Sequence, residues 1–217
     1  MTENEARLRE LLVRLARQML AAGLVTGTSG NLSVRVSRGA RVLVTPSGVE
    51  YDTLRPEDLV AVDFDGQPAE GGLVPSIDTP NHLGIYRARP DVNGIVHTHS
   101  PYAAAFSVVN ESIPSLLLEA AGYLGGDVRV MAYSPAGSPD GPARMVAALD
   151  AGRAILLPNH GVMAVGETLS KAFHAATAVE EGARVAWIAR QLGRPRRVPD
   201  DDVAWMNDFI HRRYGQR

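Results

Sequence analysis

The 217-residue chain contains no cysteine. A disulfide framework and a thiolate metal site are therefore excluded, and any metal site has to use histidine and carboxylate side chains. Long apolar runs are also missing, since no stretch approaches the roughly 18 apolar residues of a membrane span. The N-terminal segment is studded with charge and lacks the continuous apolar region of a secretory signal.

The chain also has no large excess of positive or negative charge. The net charge is -2, which gives no reason to expect a nucleic acid or an anionic membrane as partner. Apolar residues make up 45% of the chain, enough for a full core, and charged residues make up 21%. We therefore expect one cytoplasmic domain that spans residues 1–217.

Hydrophobic periodicity predicts an irregular alternation of helices and strands. Leucines at helical spacing predict an N-terminal helix that ends near Gly23. Further helices are predicted at 79–89, 101–109, 139–149, 168–191 and 201–213. Strands are predicted at 32–36 and 41–45, joined by a Ser-Arg-Gly turn, and at 59–67, 93–99, 127–133, 153–157 and 161–166. This pattern predicts a three-layer α/β/α domain with a mixed, largely antiparallel central sheet.

Histidines at strand ends are the first candidates for chemistry. His97 and His99 lie at positions i and i+2 of a predicted strand, so both imidazoles project from one face. His160 lies in a turn between two apolar strands, and Gly161 leaves room for a close approach. Three histidines would leave an open fourth position, as in a catalytic zinc site. The alternatives are exposed loop histidines at 97 and 99 and a hydrogen-bonded turn residue at 160.

Oxygen-bearing residues supply further candidates. Asp78 could ligate a metal or accept a proton beside it, and it could equally be a helix N-cap. GTSGN (27–31), TPSG (45–48) and Ser76 could bind a phosphate through backbone N–H groups and hydroxyls, or could form ordinary turns. The chain's single lysine, Lys171, is remote in sequence from all of them. A phosphate site here would therefore use neutral donors and helix ends.

Five segments, in this order, resemble those of the class II aldolase/adducin family: GTSGNLSVR, TPSGVEYDTL, PSIDTPNHLGIYRARPD, IVHTHSPYA and LLPNHGVMA. The resemblance covers nearly the whole chain and is to the group of L-fuculose-1-phosphate aldolase and L-ribulose-5-phosphate 4-epimerase. It implies the fold of these enzymes, a bound divalent metal, either Zn²⁺ or another ion such as Mn²⁺, and a homotetramer with active sites at subunit interfaces.

The resemblance also implies particular site residues. The family's metal ligands fall on His97, His99, His160 and Asp78. Its phosphate contacts fall on Asn31, Ser47, Gly48 and Ser76. A second family serine is Ile77 here, so one hydroxyl donor is missing. The C-terminal RRYGQ aligns the family's terminal tyrosine with Tyr214, which would reach an active site near an interface or would be a frayed terminal aromatic.

Two family acids are absent. Leu118 occupies the position of the aldolase's catalytic tyrosine, and Gly122 that of the epimerase's catalytic aspartate. Glu119 is the nearest replacement as proton carrier, unless it is a solvated carboxylate, and Tyr123 and Asp127 are weaker candidates.

The resemblance implies a metal-dependent aldolase. Such an enzyme cleaves an L-fuculose-1-phosphate-like ketose phosphate to dihydroxyacetone phosphate and an aldehyde, through an enediolate that the metal stabilises. Asp78 would carry the proton of the three-carbon fragment, and Tyr214 or Glu119 would serve the aldehyde oxygen. The alternatives are a 4-epimerase of a pentulose phosphate, a family decarboxylase or dehydratase, and a non-enzymatic module like the adducin head. With no lysine near the site, a Schiff-base aldolase is disfavoured.

Overall fold

The computed structural model describes residues 3–36, 41–69, 72–135 and 137–214. The predicted Ser-Arg-Gly turn at 37–39 and the residues after Tyr214 lie outside these ranges. Within them, no helix has both the length and the apolar character that a bilayer span requires.

One antiparallel sheet organises the described chain. Its six strands are β1 (Asn31–Arg35), β2 (Arg41–Val44), β3 (Val60–Asp63), β4 (Gly94–Thr98), β5 (Ala154–Leu157) and β6 (Gly161–Gly166). They lie in the order β3-β2-β1-β4-β6-β5, and every neighbouring pair is antiparallel. The helices are α1 (Glu3–Ala21), α2 (Thr79–Ala88), α3 (Pro101–Val108), α4 (Leu118–Leu124), α5 (Gly141–Leu149), α6 (Leu169–Leu192) and α7 (Asp200–Arg212).

Two apolar cores lie on opposite faces of the sheet. One core joins α1, α3 and α6 to the sheet through residues such as Leu12, Phe106 and Val96. The other joins α2 and α5 to the sheet through residues such as Tyr86 and Ile95. Neighbouring residues of a strand enter different cores because side chains alternate between the faces of a sheet. The predicted three-layer α/β/α fold with a largely antiparallel sheet is confirmed.

The predicted strand at 127–133 is wrong in detail. This segment makes only isolated bridges, Ile113 with Val128 and Val130 with Leu156. The second bridge is parallel, and its backbone hydrogen bonds run from Leu156 N to Arg129 O at 2.8 Å and from Met131 N to Leu156 O at 3.0 Å. The segment thus pairs with β5 only at Leu156. The short helix α4, which the sequence pattern does not predict, precedes it.

The candidate site residues meet at one end of the strands, which we call one edge of the sheet. The registers pair Asn31 with His97, Thr98 with Val162, and Leu157 with Gly161. The starts of β1 and β6 and the ends of β4 and β5 therefore share this edge. A side chain at Gly161 would overlap the Thr98 carbonyl oxygen, so the close approach expected at this glycine is present.

At the opposite edge of the sheet, the backbone of α6 packs closely against Gly94, and a mutation can test this contact. A Cβ added at Gly94 of β4 would lie 2.5 Å from the backbone nitrogen of Leu169, where α6 begins. We expect Gly94→Ala to lower the free energy of unfolding by about 1–3 kcal/mol, because backbone atoms have to move apart. Urea denaturation measures the change. Gly193→Ala is the control, since its Cβ would meet no atom within 4 Å, and equal stability of the two variants would contradict the packing.

Candidate metal centre and active site

Three imidazoles converge at the shared edge. His97 Nε2 lies 3.1 Å from His99 Nε2 and 3.3 Å from His160 Nε2. The ring centroids are 4.7 to 4.9 Å apart, and each pair of rings meets edge to face. One ligand nitrogen from each residue lies within 4.8 Å of the others. The structure therefore brings together the three histidines that the sequence singled out.

The spacing of these nitrogens fits a tetrahedral metal ion. Zinc–nitrogen bonds of about 2.0–2.1 Å in a tetrahedron put ligand nitrogens about 3.4 Å apart. The observed separations of 3.1 and 3.3 Å are close to this value. Three histidine ligands would leave a fourth position for a substrate oxygen or for a carboxylate.

The backbone of β6 determines which nitrogen of His97 faces the cluster. His97 Nδ1 lies 2.9 Å from the Val162 carbonyl oxygen. Because a carbonyl can only accept, Nδ1 carries the hydrogen and Nε2 keeps a free lone pair. Such an orienting hydrogen bond is typical of metal-binding histidines. His160 is held by its own turn, in which Asn159 takes a left-handed conformation with φ of 55°.

Burial favours the neutral form of His97 and His99. It lowers the pKa of His97 to about 3, although the Asp78 carboxylate opposes the shift. Burial, followed by the neighbouring His160, also lowers the pKa of His99. Neutral imidazoles at neutral pH present lone pairs to a cation, as metal binding requires.

Asp78 lies beside the histidines and does not cap its helix. Its Oδ2 is 3.7 Å from His97 Nε2. It occupies the N-cap position of α2, yet its side chain makes no capping hydrogen bond. The carboxylate instead accepts hydrogen bonds from Asn31 Nδ2 at 2.8 Å and from Asn81 Nδ2 at 3.3 Å. Burial alone would raise the pKa of Asp78, but the His97 and His82 imidazoles and the Asn31 hydrogen bond outweigh it and lower that pKa.

A cavity of about 660 Å³ opens onto this cluster. His99, His160 and Asp78 line it, and so do all four candidate phosphate contacts: Asn31, Ser47, Gly48 and Ser76. Two turns are fixed around these contacts. The Tyr51 hydroxyl donates to the Gly30 carbonyl at 2.5 Å, and Ser76 N donates to the Thr45 carbonyl at 3.1 Å.

The described lining of the cavity contains no lysine or arginine. A phosphate bound there would be held by neutral donors, in agreement with the sequence analysis. Ile77, which stands where the family has a second serine, is 82% exposed and adds no donor. Lys171 lies on α6 and forms an ion pair with Glu167 at the opposite edge of the sheet, so it is unavailable for a Schiff base at this cavity.

Two predicted catalytic residues do not reach the cavity within one chain. Glu119 is exposed in the first turn of α4, and Tyr214 is 71% exposed beside Phe209. The weaker candidates have structural partners. The Asp127 carboxylate accepts hydrogen bonds from Arg197 and Ser115, and the Tyr123 hydroxyl donates to the Lys171 carbonyl.

The absence of the epimerase's aspartate has a packing reason. A Cβ added at Gly122 would lie 2.7 Å from Met206 Cβ on α7. Asn207 of the same helix donates to the Gly122 carbonyl at 2.7 Å. The space that an aspartate side chain would need is therefore filled by α7, which packs against α4.

Sequence reasoning missed two groups of residues around the site. Apolar side chains line the cavity on the side of β5, namely Met131, Pro142, Met145 and Leu157. A buried histidine, His82, lies one helical turn beyond Asp78 and contacts the Ser33 hydroxyl, which in turn contacts the Tyr86 hydroxyl. The DTPNH segment carries a signal for His82, whereas the apolar group comes together only through the packing of α5 and residues 131–135 against β5.

Comparison with known proteins places this geometry in a family. The sequence profile described as class II aldolase and adducin N-terminal domain matches residues 10–187. The chain belongs to the class II aldolase and adducin family. The extent of the domain to residues 1–217 stays a prediction, because the match is shorter.

Relatives within the class II aldolase and adducin family include different activities. A 5-methylthioribulose-1-phosphate/5-deoxyribulose-1-phosphate aldolase of Rhodospirillum rubrum is 38% identical over 196 residues, which are 90% of this chain and 87% of the relative. An L-ribulose-5-phosphate 4-epimerase of Salmonella paratyphi C is 36% identical over 208 residues, 89% of each protein. A solved L-fuculose 1-phosphate aldolase superposes with a TM-score of 0.88 at 30% identity, covering 94% of this chain and 95% of that one.

Buried neutral histidines predict a loss of stability in acid. Burial lowers the pKa of His82 to about 4, whereas an unfolded histidine titrates near about 6.5. The stability that this group contributes is complete above pH 6.5 and is lost as the pH falls towards 4, by up to about 1.4 kcal/mol per pH unit. His97 acts in the same direction. Urea unfolding of metal-free protein at a series of pH values measures the slope.

His82→Gln provides the control, since glutamine does not titrate in this range. The variant should show a flatter dependence of unfolding free energy on pH between about 6.5 and 4. Identical slopes for the variant and the unmodified protein would contradict the neutral state of His82 in the fold.

Proposed function

We propose that this protein is a divalent-metal aldolase that cleaves a ketose 1-phosphate to dihydroxyacetone phosphate and an aldehyde. The observation that carries the proposal is the convergence of three imidazoles at a cavity that the candidate phosphate contacts also line. Zinc is the proposed metal, because three histidines with an open fourth position are typical of catalytic zinc.

The order of groups along the sheet edge supports a 1-phosphate. The candidate phosphate contacts Asn31 and Ser47 belong to the β1 and β2 side, and the histidines to β4 and β6. The apolar lining residues, such as Leu157, lie on the side of β5. A ketose held by its phosphate near β1 and by its carbonyl at the histidines would direct its remaining carbons towards β5. Strand spacing of about 4.8 Å makes the span from β1 to β5 about 14 Å.

The chemistry follows from the charges that develop in carbon–carbon cleavage. Cleavage leaves an enediolate on the three-carbon fragment, and a divalent cation at the histidines would act as a Lewis acid that stabilises this charge. Asp78, which is anionic and lies 3.7 Å from His97 Nε2, is the proposed fourth ligand and proton carrier for that fragment. Asn31 and Asn81 hold the Asp78 carboxylate in place.

The proposed substrate is a ketose 1-phosphate whose far end is apolar. Met131, Met145, Leu157 and Pro142 favour a methyl or thioether group, and the same lining also carries the polar side chains of Tyr133 and Ser134. The relative from Rhodospirillum rubrum is named for 5-deoxy and 5-methylthio sugars of this kind. We therefore rank 5-deoxypentulose 1-phosphates beside L-fuculose 1-phosphate as substrates to test.

The proton donor for the aldehyde oxygen is proposed to come from a second subunit. Tyr214 and Glu119 are exposed and lie away from the cavity of their own chain. In the homotetramer that the family resemblance implies, either residue would be free to complete a neighbouring cavity. The tetramer and its residence in the cytoplasm stay predictions.

A 4-epimerase is the second candidate. The 36% identity to an L-ribulose-5-phosphate 4-epimerase favours it. So does Asp78, because the family resemblance puts an aspartate at this position in the epimerase and a glutamate in the fuculose-1-phosphate aldolase. An epimerase would return a new ketose phosphate without free aldehyde, so product analysis separates the two reactions.

The proposal predicts release of dihydroxyacetone phosphate from ketose 1-phosphates. The assay uses a panel of ketose 1- and 5-phosphates, with and without chelator, followed by re-addition of Zn²⁺ or Mn²⁺. We expect cleavage of 1-phosphates, loss of activity in chelator and recovery with metal. His160→Ala should lower kcat/KM more than about a hundredfold, because loss of a ligand exceeds the usual effect of losing an outer hydrogen bond to one.

His174→Ala is the matched control, since His174 is exposed on α6 and outside the cavity. It should leave kcat/KM within about twofold of the unmodified value. Full activity of the His160→Ala variant, or cleavage that persists in chelator, would contradict the proposal. A new ketose phosphate without aldehyde would select the epimerase.

The phosphate contacts predict a separate effect on substrate binding. Ser47→Ala should raise KM for a ketose 1-phosphate by about ten- to a hundredfold with little change in kcat, because a hydrogen bond to a charged group is worth about 1.5–3 kcal/mol and is kept through the reaction. Thr53→Ala, at an exposed turn outside the cavity, is the control. An unchanged KM for the Ser47 variant would remove this residue from the phosphate site.

A further inference from the structure

The candidate phosphate contacts come from three separate segments of the chain. Asn31 begins β1, two contacts lie in the turn at 45–48 after β2, and the last lies in the segment 74–76 before α2. We call the segments 45–48 and 74–76 together the turn pair. The cavity that these contacts line has no lysine or arginine in its described lining. Neutral hydrogen bonds weaken steeply when the donor is misaligned, so a phosphate site of this kind depends on what holds the three segments in place.

Two backbone hydrogen bonds hold the turn pair together. Ser47 N donates to the Val74 carbonyl at 2.8 Å, and Ser76 N donates to the Thr45 carbonyl at 3.1 Å. The two segments therefore form one unit. Because the Ser47 N–H group is used within this unit, the group that Ser47 can offer to a phosphate is its hydroxyl.

Tyr51 connects the turn pair to the segment that carries Asn31. It follows the turn at 45–48 by three residues, and its hydroxyl donates to the Gly30 carbonyl at 2.5 Å. Burial raises the pKa of Tyr51, so the hydroxyl keeps the proton that it donates. The side chain is 2% exposed and belongs to the apolar core that α1 and α6 share with the sheet. The ring is thus anchored in the core, and the hydroxyl holds the peptide that precedes Asn31.

Asn31 lies between two such anchors. On its other side, Thr45 N donates to the Leu32 carbonyl at 3.0 Å, and Leu32 N donates to the Thr45 hydroxyl at 3.2 Å. The start of β1 is therefore fixed to the turn pair at both neighbours of Asn31, at Gly30 through Tyr51 and at Leu32 through Thr45.

Gly30 also lies against the strand that carries His97. Its φ of 72° is in the left-handed region, and a Cβ added there would lie 2.6 Å from the His97 carbonyl oxygen. Asn31, the next residue, pairs with His97 in the sheet. The hydrogen bond from Tyr51 therefore fixes the turn pair relative to the strand of the histidines as well as relative to Asn31.

We propose that Tyr51 is a positioning residue, whose hydroxyl holds the Gly30 peptide so that the Asn31 amide and the turn pair face the same phosphate group. The inference rests on the proposed function, because it assigns these residues to the phosphate of a ketose 1-phosphate. Asn31 Nδ2 carries two hydrogens, of which one is donated to Asp78 at 2.8 Å and the other is left for the phosphate. Without the Tyr51 hydroxyl, the Gly30 peptide is free to rotate and to turn Asn31 away from the turn pair.

Two substitutions separate this role from the general stability of the core. Tyr51→Phe keeps the ring and removes only the hydroxyl. Tyr86→Phe is the matched control, because Tyr86 is 1% exposed, its hydroxyl bonds to Ser33 at 2.9 Å, and it lies outside the cavity lining. A purely structural role of the two hydroxyls predicts similar effects of the two variants. The readout is the dissociation constant of inorganic phosphate for the metal-free protein, measured by ³¹P NMR titration, which needs neither substrate nor metal.

We expect Tyr51→Phe to bind inorganic phosphate about three- to tenfold more weakly than the unmodified protein, and Tyr86→Phe to stay within about twofold of it. The affinity for Zn²⁺, measured by competition with a chromophoric chelator, should stay within about threefold in both variants, because both keep the three histidines. Urea denaturation confirms that the variants are folded. Where cleavage is measurable, Tyr51→Phe should raise KM for the ketose 1-phosphate with kcat nearly unchanged.

An unchanged phosphate affinity of Tyr51→Phe would overturn the positioning role, and so would an equal loss in the two variants. A loss of Zn²⁺ affinity as large as the loss of phosphate affinity would also overturn it, because the whole site would then have loosened. Phosphate binding with the expected pattern but no cleavage of any ketose phosphate would instead refute the proposed function and leave the role of Tyr51 standing. Absence of phosphate binding in the unmodified protein would refute the role of Tyr51, and the cleavage assay would still decide on the proposed function.

Discussion

The pairing of β4 with β6 is the interaction on which the rest of the site depends. It carries His97 and His99 at the end of one strand to the turn that holds His160, and it supplies the Val162 carbonyl that fixes the tautomer of His97. Burial at this edge keeps His97 neutral, and its Nε2 atom lies 3.1 and 3.3 Å from the Nε2 atoms of His99 and His160. That arrangement is costly unless a cation relieves it, which supports the proposal that this edge binds a metal ion.

Asp78 is held beside the histidines by neighbouring side chains. Its place before α2 would ordinarily make it a helix cap, yet its carboxylate is turned to Asn31, Asn81 and the histidines. The missing capping hydrogen bond costs the helix about 1 kcal/mol of stability. The carboxylate instead places a negative charge beside the histidines. The buried His82, one turn further along α2, lies behind this carboxylate.

The sequence alone predicted the features that depend on local periodicity and residue spacing. The two-residue spacing of His97 and His99, the turn at His160 and the close approach at Gly161 all have the expected geometry. The extended segment at 127–133 and the short helix α4 were not predicted correctly, because their conformation depends on contacts with β5 and α7 rather than on their own pattern. The apolar lining at Met131, Met145 and Leu157 likewise arises from remote segments that pack together.

Glu119 and Tyr214 are the predicted catalytic residues that the fold of one chain does not bring to the cavity. Tyr214 was chosen by resemblance and Glu119 as the acid nearest in sequence to the missing family residues, and both lie on the surface away from the cavity of their own chain. The histidine cluster is different, because all of its parts come from residues that the sheet brings together within the same chain.

X-ray absorption spectroscopy of the zinc-loaded protein tests the central claim most directly, because it reports the atoms bound to the metal. The account predicts three imidazole nitrogens at about 2.0–2.1 Å, with the remaining coordination supplied by oxygen. A first shell of oxygen alone, or one with fewer than three imidazoles, would contradict it.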